Sequence, residues 1–579
     1  MSTPALTSEY AAATTVEPAA ATTPQSSRGA LAIEDQSHRL PFKKLLLVIS
    51  SLCLCIFVSY LDQTSVSTVL PAIAHDLGAA DRINWVGISF LVATTSSQII
   101  IARLSDIFGR KALLISATIL FTFGNLLSGF AKTAIWLFIA RAIAGIGGGG
   151  INSLVNIIMS DVVSLKDRGK YQGILAAACA VGSGIGPLIG GALSTAGWRW
   201  VFWFTVPITT ACVIQLWWML PQNKMNGGFV EKLRKVDFTG SILSLGAVVL
   251  VLVPLSGGGV YYSWNSALVI TMLTIGSALT VVFILVEWCI AELPILPLDL
   301  FRLKNILIVS ATTFLTGIVF FCNLYFLPSY YTDARGFTPT QAGIYLLPLV
   351  FIQIVSTIIS GQLLSKTQYP RPYVIVGFAL WTIGAGLQSM FDLDTGKGEL
   401  VGYLLLEGIG IGLTFQTTLV AAQASAPPQE RAVITGARNF FRSLGGAIGL
   451  VVCTATKNAV LKKELAKIPN LSSKAVAAII KLGPQALEDT AFDGAVRAAY
   501  MTSLHAIFIL FVPIAGLSTI MSLFMKDVYL EGDKNVLPVV KTPTPPNSRE
   551  NLELDNIQGS QTVGGSTLDP SMSAEKSTR

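Results

Sequence analysis

Apolar residues form long runs along most of this 579-residue chain, and charged residues are concentrated between the runs. The runs are about 20 residues long, which is the length an α-helix needs to cross the hydrocarbon core of a bilayer. The pattern predicts fourteen membrane-spanning helices. Their approximate positions are 45–70, 83–103, 112–131, 135–160, 171–195, 199–220, 239–260, 267–288, 306–331, 343–365, 372–391, 398–422, 434–457 and 502–525.

Fourteen such helices predict an all-α integral membrane protein, because a helix satisfies its own backbone hydrogen bonds in lipid. Composition agrees with this fold class. Hydrophobic residues make up 52% of the chain and charged residues 13%, and mean hydropathy is +0.63. A soluble protein of this size would need more charge to cover its surface.

Basic residues indicate how the helices are oriented. With the N-terminus inside, the short inside loops hold fifteen Lys and Arg residues and the short outside loops hold five. The positive-inside rule therefore predicts that both termini are cytoplasmic. We expect disordered cytoplasmic tails over 1–42 and 527–579. The loop 458–501 is then extracellular, and its sequon predicts glycosylation at Asn470.

Cofactor chemistry is not indicated. The seven cysteines and three histidines show neither metal-ligand spacing nor a disulfide framework. The chain contains no G-x-x-x-x-G-K-[ST] sequence for ATP, so we expect a proton gradient to supply energy, with no cofactor and no metal. The net charge of +7 mainly reflects the inside loops, so we expect no nucleic-acid partner. We expect a monomer whose partners are membrane lipid and a small-molecule substrate.

One pattern occurs twice, 263 residues apart. "AGIGGGGINSLV" from Ala144 aligns with "EGIGIGLTFQTTLV" from Glu407, and glycines of the following helix align at the same shift. Eight spans separate the copies, so both face the same way, as in transporters built from parallel repeats. We therefore predict an N-terminal six-helix bundle (43–220), a linker with two extra transmembrane helices (221–305) and a C-terminal six-helix bundle (306–526).

The first copy contains a G-x-G-x-x-G sequence at Gly145, Gly147 and Gly150. A dinucleotide site needs this sequence at the end of a strand, whereas here it follows the apolar helical segment "WLFIARAIA". The second copy lacks the last glycine. We therefore interpret these glycines as a helix face against which a neighbouring helix packs closely.

Five segments in order resemble motifs of the major facilitator superfamily, and within it the fourteen-span drug:proton antiporters of fungi. They are "LDQTSVSTVLP" (61–71), "ARLSDIFGRK" (102–111), "RAIAGIGGG" (141–149), "GSGIGPLIGG" (182–191) and "WRWVFWFTVP" (198–207). Ala102 and Thr205 depart from the usual glycine and asparagine. The resemblance covers about residues 42–530.

The resemblance implies a proton-coupled efflux transporter, not an enzyme. Its substrates would be amphiphilic small molecules, such as a secondary metabolite, toxin, glycolipid or drug, exported across the plasma membrane. The alternative is transport of a defined polar metabolite, such as an organic acid, an iron chelate or a basic amino acid, with a vacuolar location also open.

Three charged residues in the spans are candidates for proton or substrate coupling. A carboxylate such as Asp62 is costly in hydrocarbon unless it is paired, hydrated or protonated, so it could carry a proton, or it could brace helix 1 through hydrogen bonds to Gln63 and Thr64. The resemblance implies a role in proton movement for Arg141, although it could instead snorkel to the outer surface. Glu407 is a candidate because it replaces Ala144 in the repeat, and it could equally be a structural acid. With two acids available, we expect the cavity to favour cations.

Two motifs have predicted mechanical roles. Asp106, Gly109, Arg110 and Lys111 are expected to form an inside turn. Asp106 and Arg110 are expected to pair with each other and with a helix end of the other half, which would latch one conformation. The second motif, in the fifth span, is expected to permit close packing and bending, and the resemblance associates it with export. Its residues are Gly182, Gly186, Pro187, Gly190 and Gly191. Arg438 and Arg442 are expected to be interfacial at the inside end of span 13.

Overall fold

The computed structural model describes residues 41–79, 82–83, 85–220, 229–258, 262–291, 293–469, 471–482 and 492–530. The predicted tails lie almost entirely outside these residues. Asn470, the predicted glycosylation site, also lies outside them.

The described residues are almost entirely helical. Thirteen helical segments among them are long and apolar enough to cross a membrane. The α-helices are α1 (Phe42–Asp76), α2 (Trp85–Phe108), α3 (Arg110–Gly129), α4 (Ala134–Val162), α5 (Arg168–Ser194), α6 (Arg199–Trp203), α7 (Thr205–Met219), α8 (Phe229–Arg234), α9 (Phe238–Gly257), α10 (Ala267–Cys289), α11 (Lys304–Ser329), α12 (Pro339–Thr367), α13 (Arg371–Gln388), α14 (Lys397–Phe415), α15 (Thr417–Ser425), α16 (Arg431–Leu465), α17 (Ser473–Leu482) and α18 (Asp493–Leu523).

The one predicted span that is not among these thirteen, 372–391, corresponds to α13. Its 18 residues give a length of about 27 Å at 1.5 Å per residue, close to the thickness of the hydrocarbon core. It packs between α14 and α18 and occupies the place in the second repeat that α3 has in the first. The helix order is therefore consistent with the predicted fourteen-span arrangement.

The glycines of α4 lie on two faces of the helix. Gly145 and Gly149 lie against α2, whereas Gly147 lies against the backbone of α3 near Phe121. A Cβ atom at Gly147 would clash with that backbone, so a side chain there would force the two helices apart. The predicted glycine-rich helix is present, and its glycines accommodate two neighbouring helices.

The second repeat has the same contacts. Gly408 and Gly412 of α14 lie against α12, and Gly410 lies against the backbone of α13 at Trp381. Thus α2, α3 and α4 correspond in packing to α12, α13 and α14. The sequence repeat is therefore also a repeat of helix–helix contacts.

The N-terminal set of six spans (α1–α7) has its own apolar core, formed mainly by residues between Val48 and Leu220. The C-terminal set (α11–α18) has another, formed by residues between Val319 and Met525. These two sets are the two halves of the protein. The extra helix α9 contacts both sets. Its Leu252 packs with Val92 of α2 and Ala447 of α16. The extra pair of helices therefore covers part of the junction between the two sets.

Several helices extend beyond the predicted spans. Helix α16 continues to Leu465, α17 covers Ser473–Leu482, and α18 begins at Asp493. Part of the predicted 458–501 loop is therefore helical. Hydropathy detects only the segment that lipid requires to be apolar, and a helix can continue past it with polar residues such as Lys462 and Lys463.

Candidate functional site

Asp62 and Arg141 form an ion pair inside the N-terminal set of helices. Arg141 Nη1 donates to Asp62 Oδ2 at 2.9 Å and to Asn125 Oδ1 at 3.1 Å. The guanidinium also lies over the ring of Phe90, 4.4 Å from its centroid. Asp62 is 0% exposed and Arg141 is 1% exposed. Arg141 therefore does not snorkel to the surface, and the pair links α1, α3 and α4.

Glu407 is fully buried in the C-terminal set of helices and has neutral partners. Its Oε1 accepts hydrogen bonds from Asn323 Nδ2 at 2.6 Å and from Trp381 Nε1 at 3.2 Å. Gln388 Nε2 donates in turn to Asn323 Oδ1 at 2.7 Å. This network links α11, α13 and α14, which correspond to the helices that hold Asp62 and Arg141. The first set therefore buries an ion pair, and the second buries an acid among amides and an indole.

A small cavity lies beside this network and is lined by two arginines. The residues around it are Thr313, Thr316, Phe320, Phe378, Trp381, Thr414, Phe415, Thr418, Arg438 and Arg442. Arg438 and Arg442 are 5% and 9% exposed, respectively. Arg438 Nη2 donates to Thr418 Oγ1 at 3.0 Å and to the carbonyl of Phe415. Arg442 lies over the Phe415 ring, 4.5 Å from its centroid, and donates to Tyr60 OH at 3.3 Å.

No carboxylate among the described residues pairs with either cavity arginine. Both Nε atoms and Arg442 Nη1 are buried without a hydrogen-bond partner among those residues. A buried guanidinium is costly without a counter-charge, and the cavity beside these two has room for little more than one water molecule in this structure. The expectation that Arg438 and Arg442 are interfacial is therefore wrong.

Neither acid on which the expected preference for cations was based lines this cavity. Asp62 pairs with Arg141, and Glu407 accepts a hydrogen bond from Trp381. Helical spacing in the sequence does indicate that Arg438 and Arg442 face inward. Residues 438, 442, 445 and 449 share one helical face, and the glycines on it must face α11, where Gly445 meets Phe314 and Gly449 meets Ile318.

The predicted gating residues form a charged cluster at the predicted cytoplasmic end. Arg110 pairs with Asp106 at 2.6 Å and with Asp161 at 2.9 Å. Gly109, between α2 and α3, has a φ of 96°, a conformation that favours glycine. Lys111 Nζ donates to the Trp217 carbonyl at 2.7 Å. The turn is therefore fixed mainly by contacts within the N-terminal set of helices.

Arg103, which lies within the 102–111 segment but is not one of the four predicted gating residues, makes an ionic contact with the C-terminal set. Arg103 Nη1 lies 3.2 Å from Glu430 Oε2 and 3.6 Å from Asp106 Oδ2. Arg103 thus connects the acid of the motif to the start of α16. Asp106 and Arg110 were expected to pair with a helix end of the other half. In the structure Arg103 makes that contact instead. Arg103 was not among the predicted site residues.

Further hydrogen bonds join the two halves. They are Gln98 Nε2 to Ser443 Oγ, Ser365 Oγ to the Lys166 carbonyl, and Asn439 Nδ2 to the Asn152 carbonyl. With both termini inside, these bonds and the Arg103–Glu430 pair all lie in the cytoplasmic half of the helices. The halves are therefore held together at that side.

The glycines of α5 pack mainly against α1. Gly182, Gly186 and Gly190 lie one turn apart, and a Cβ atom on any of them would meet the backbone of α1. Gly191 has open space around its Cα, so it does not share this packing role. Pro187 lies inside α5, which is continuous from Arg168 to Ser194. The motif thus allows α1, which carries Asp62, to approach α5 closely.

We expect Gly361→Val to separate the two halves at the ends that are predicted to be cytoplasmic. A Cβ atom at Gly361 of α12 would meet the carbonyl of Gly169 of α5, and overpacking of this kind costs about 1–3 kcal/mol. A cysteine introduced at Asn152 should then react faster with a membrane-impermeant maleimide applied from the cytoplasmic side. Gly343→Val is the matched control, because a Cβ atom at Gly343 of α12 would meet no atom of a neighbouring element within 4 Å. Equal labelling rates in the two variants would contradict closure at this contact.

Comparison with known proteins identifies the relatives of this chain. The model described as Major Facilitator Superfamily matches residues 52–450. Citrate exporter 1 of Yarrowia lipolytica is 38% identical over 515 residues, which cover 88% of this chain and 76% of that protein. Efflux pump dotC of Dothistroma septosporum is 34% identical over 436 residues, covering 75% of each chain.

Among solved structures, the proton:xylose symporter XylE is similar in fold. The match has a TM-score of 0.53 at 13% identity and covers 84% of this chain and 97% of the XylE chain. At this identity the likeness concerns the fold alone.

Proposed function

This chain belongs to the major facilitator superfamily, and we propose that it exports a small organic anion bearing one or more carboxylates, with transport coupled to protons. It is a multi-pass membrane transporter rather than an enzyme. The main support for an anionic substrate is the presence of two buried arginines, Arg438 and Arg442, in the lining of the cavity.

The donor set of the cavity suits a carboxylate. An arginine presents a planar fork of N–H groups that matches the two oxygens of a carboxylate. The lining also includes four threonines, and the hydroxyls of Thr316, Thr414 and Thr418 donate to carbonyls of their own helices in this structure. Because these groups are withdrawn from water, their attraction to an anion is weakened less by solvent than at a surface. The anion would supply the counter-charge that the described residues around the arginines do not.

The proposed proton sites are the buried acids. Asp62 with Arg141 is one coupled pair, and Glu407 is the other acid. A carboxylate buried in a span is a candidate proton carrier. The contacts at Asp106, Gly109, Arg110 and Lys111 would latch the cytoplasmic side during the cycle, and the packing of α5 against α1 would let the Asp62 helix adjust.

The relatives support the direction of transport. One is named a citrate exporter and another an efflux pump. Export to the outside requires the plasma membrane, and we propose that location for this chain.

A second candidate function is efflux of amphiphilic molecules. Four aromatic rings, those of Phe320, Phe378, Trp381 and Phe415, line the same cavity as the arginines. Aromatic faces attract the apolar part of a ligand. An uncharged amphiphile would, however, leave both guanidinium groups without a counter-charge.

Counterflow in proteoliposomes distinguishes the two functions. Vesicles containing the protein are loaded with a carboxylate such as citrate or succinate, and uptake of the same labelled carboxylate from outside is followed. We expect exchange of at least one carboxylate, and little exchange of its uncharged methyl ester or of an amphiphilic cation. Faster exchange of the ester or the cation than of any carboxylate would contradict the proposal.

A further inference from the structure

Trp381 contacts both the buried acid and the arginine cavity. Its indole Nε1–H donates to Glu407 Oε1 at 3.2 Å, and the residue lines the cavity that contains Arg438 and Arg442. It is 3% exposed, and its backbone lies against Gly410 of α14, which limits its movement. A single side chain therefore separates the proton-binding candidate from the anion-binding candidate.

Glu407 has no cationic partner among the described residues. Its hydrogen-bond donors are the amide of Asn323 and the indole of Trp381, and Oε2 has no partner among those residues. Tyr331, just after α11, is a titratable group that interacts electrostatically with Glu407. Basic residues of the helices around Glu407 lie in the first or last turns; they are Lys304, Lys366, Arg371 and Lys397. Glu407 can therefore lose its negative charge without leaving a buried cation unpaired.

The charge of the substrate determines whether a proton weakens or strengthens its binding. A cationic substrate would compete with the proton for Glu407, so the two would exchange. Here the anion would bind to arginines, and an ionised Glu407 behind the indole would repel it. Protonation of Glu407 removes that repulsion, so proton and anion should bind together.

We propose that Trp381 couples proton binding at Glu407 to anion binding between Arg438 and Arg442, so that the proton strengthens anion binding instead of displacing the anion. This inference rests on the proposed function, because it requires an anionic substrate. Trp381 acts as a positioning residue for Glu407 through its N–H and as a wall of the anion site through its ring.

The test is equilibrium binding of labelled citrate to purified protein between pH 5 and 8. Citrate changes its own ionisation over this range, so affinities are expressed as the ratio of each variant to the wild type at the same pH. Glu407→Gln imitates the protonated acid, and its affinity should exceed that of the wild type by about tenfold at pH 8 while matching it at pH 5. Equal ratios at all pH values would overturn the role of Glu407.

Trp381→Phe separates the N–H from the ring. Phenylalanine keeps an aromatic wall but cannot donate to the carboxylate, and loss of a donor to the ionised form favours the proton. We therefore expect strong citrate binding to extend to higher pH than in the wild type. The control is Trp288→Phe, since Trp288 is 66% exposed on α10.

The outcomes are distinguishable. If citrate affinity depends on pH in the same way in Trp381→Phe and in the wild type, Trp381 does not couple the two sites. Binding that is weaker by the same factor at every pH would assign Trp381 a packing role only, which would also contradict the proposal. Failure of the wild type to bind or exchange any carboxylate would instead contradict the proposed function.

Discussion

Replacing Arg442 with glutamine is expected to lower carboxylate export by about thirtyfold or more, because a charge in a desolvated site loses its partner. Glutamine keeps an amide that can form hydrogen bonds, but it is shorter than arginine and uncharged, so the change removes both the charge and the fork of N–H donors. The measurement is the initial rate of carboxylate efflux from preloaded proteoliposomes.

Two further variants define the cause of that loss. Arg442→Lys keeps the charge but not the planar fork, so we expect an intermediate rate. Arg302→Gln is the control, because the Arg302 side chain is 64% exposed at the surface. A normal rate in Arg442→Gln, or an equal loss in Arg302→Gln, would contradict the assignment of the anion site.

The second large effect is expected at the ion pair of the N-terminal set. Asp62→Asn leaves the Arg141 guanidinium buried without its carboxylate, and breaking a buried pair in this way costs about 3–5 kcal/mol. We expect a clear fall in the thermal unfolding temperature of the purified protein, together with loss of transport. Asp76→Asn is the control, because Asp76 pairs with Arg199 at a site where its side chain is 47% exposed, and such pairs contribute about 1 kcal/mol or less.

The double variant Asp62→Asn/Arg141→Gln separates stability from transport. Removing both charges eliminates the unpaired guanidinium, so most of the lost stability should return. Transport should remain impaired if the pair takes part in coupling. Full transport in the double variant would show that the pair is structural only.

The fold was largely predictable because lipid imposes a strong pattern on sequence. Apolar runs located the spans, and the 263-residue repeat gave the two sets of helices, which the contacts of Gly147 and Gly410 reproduce. Helix ends were less predictable, since α16 continues beyond the apolar segment to Leu465.

The candidate site was predictable only in part. A charge in an apolar run identifies a buried ionisable residue, and Asp62, Arg141 and Glu407 were found in this way. Their partners were not predictable, because pairing depends on how separate helices face one another. Arg438 and Arg442 were predicted to be interfacial because they lie near the end of a predicted span. That distance does not indicate which face of the helix a side chain occupies. Their shared face with Gly445 and Gly449 is the signal that points inward.

Arg438 and Arg442 are the residues that we propose hold the organic anion. The most direct measurement compares equilibrium binding of labelled citrate and succinate to the wild type and to the Arg438→Gln/Arg442→Gln variant at one pH, with intact folding checked by size-exclusion chromatography. We expect saturable binding of at least one of the two carboxylates by the wild type and no measurable binding by the folded variant. Equal binding by both proteins would contradict the claim.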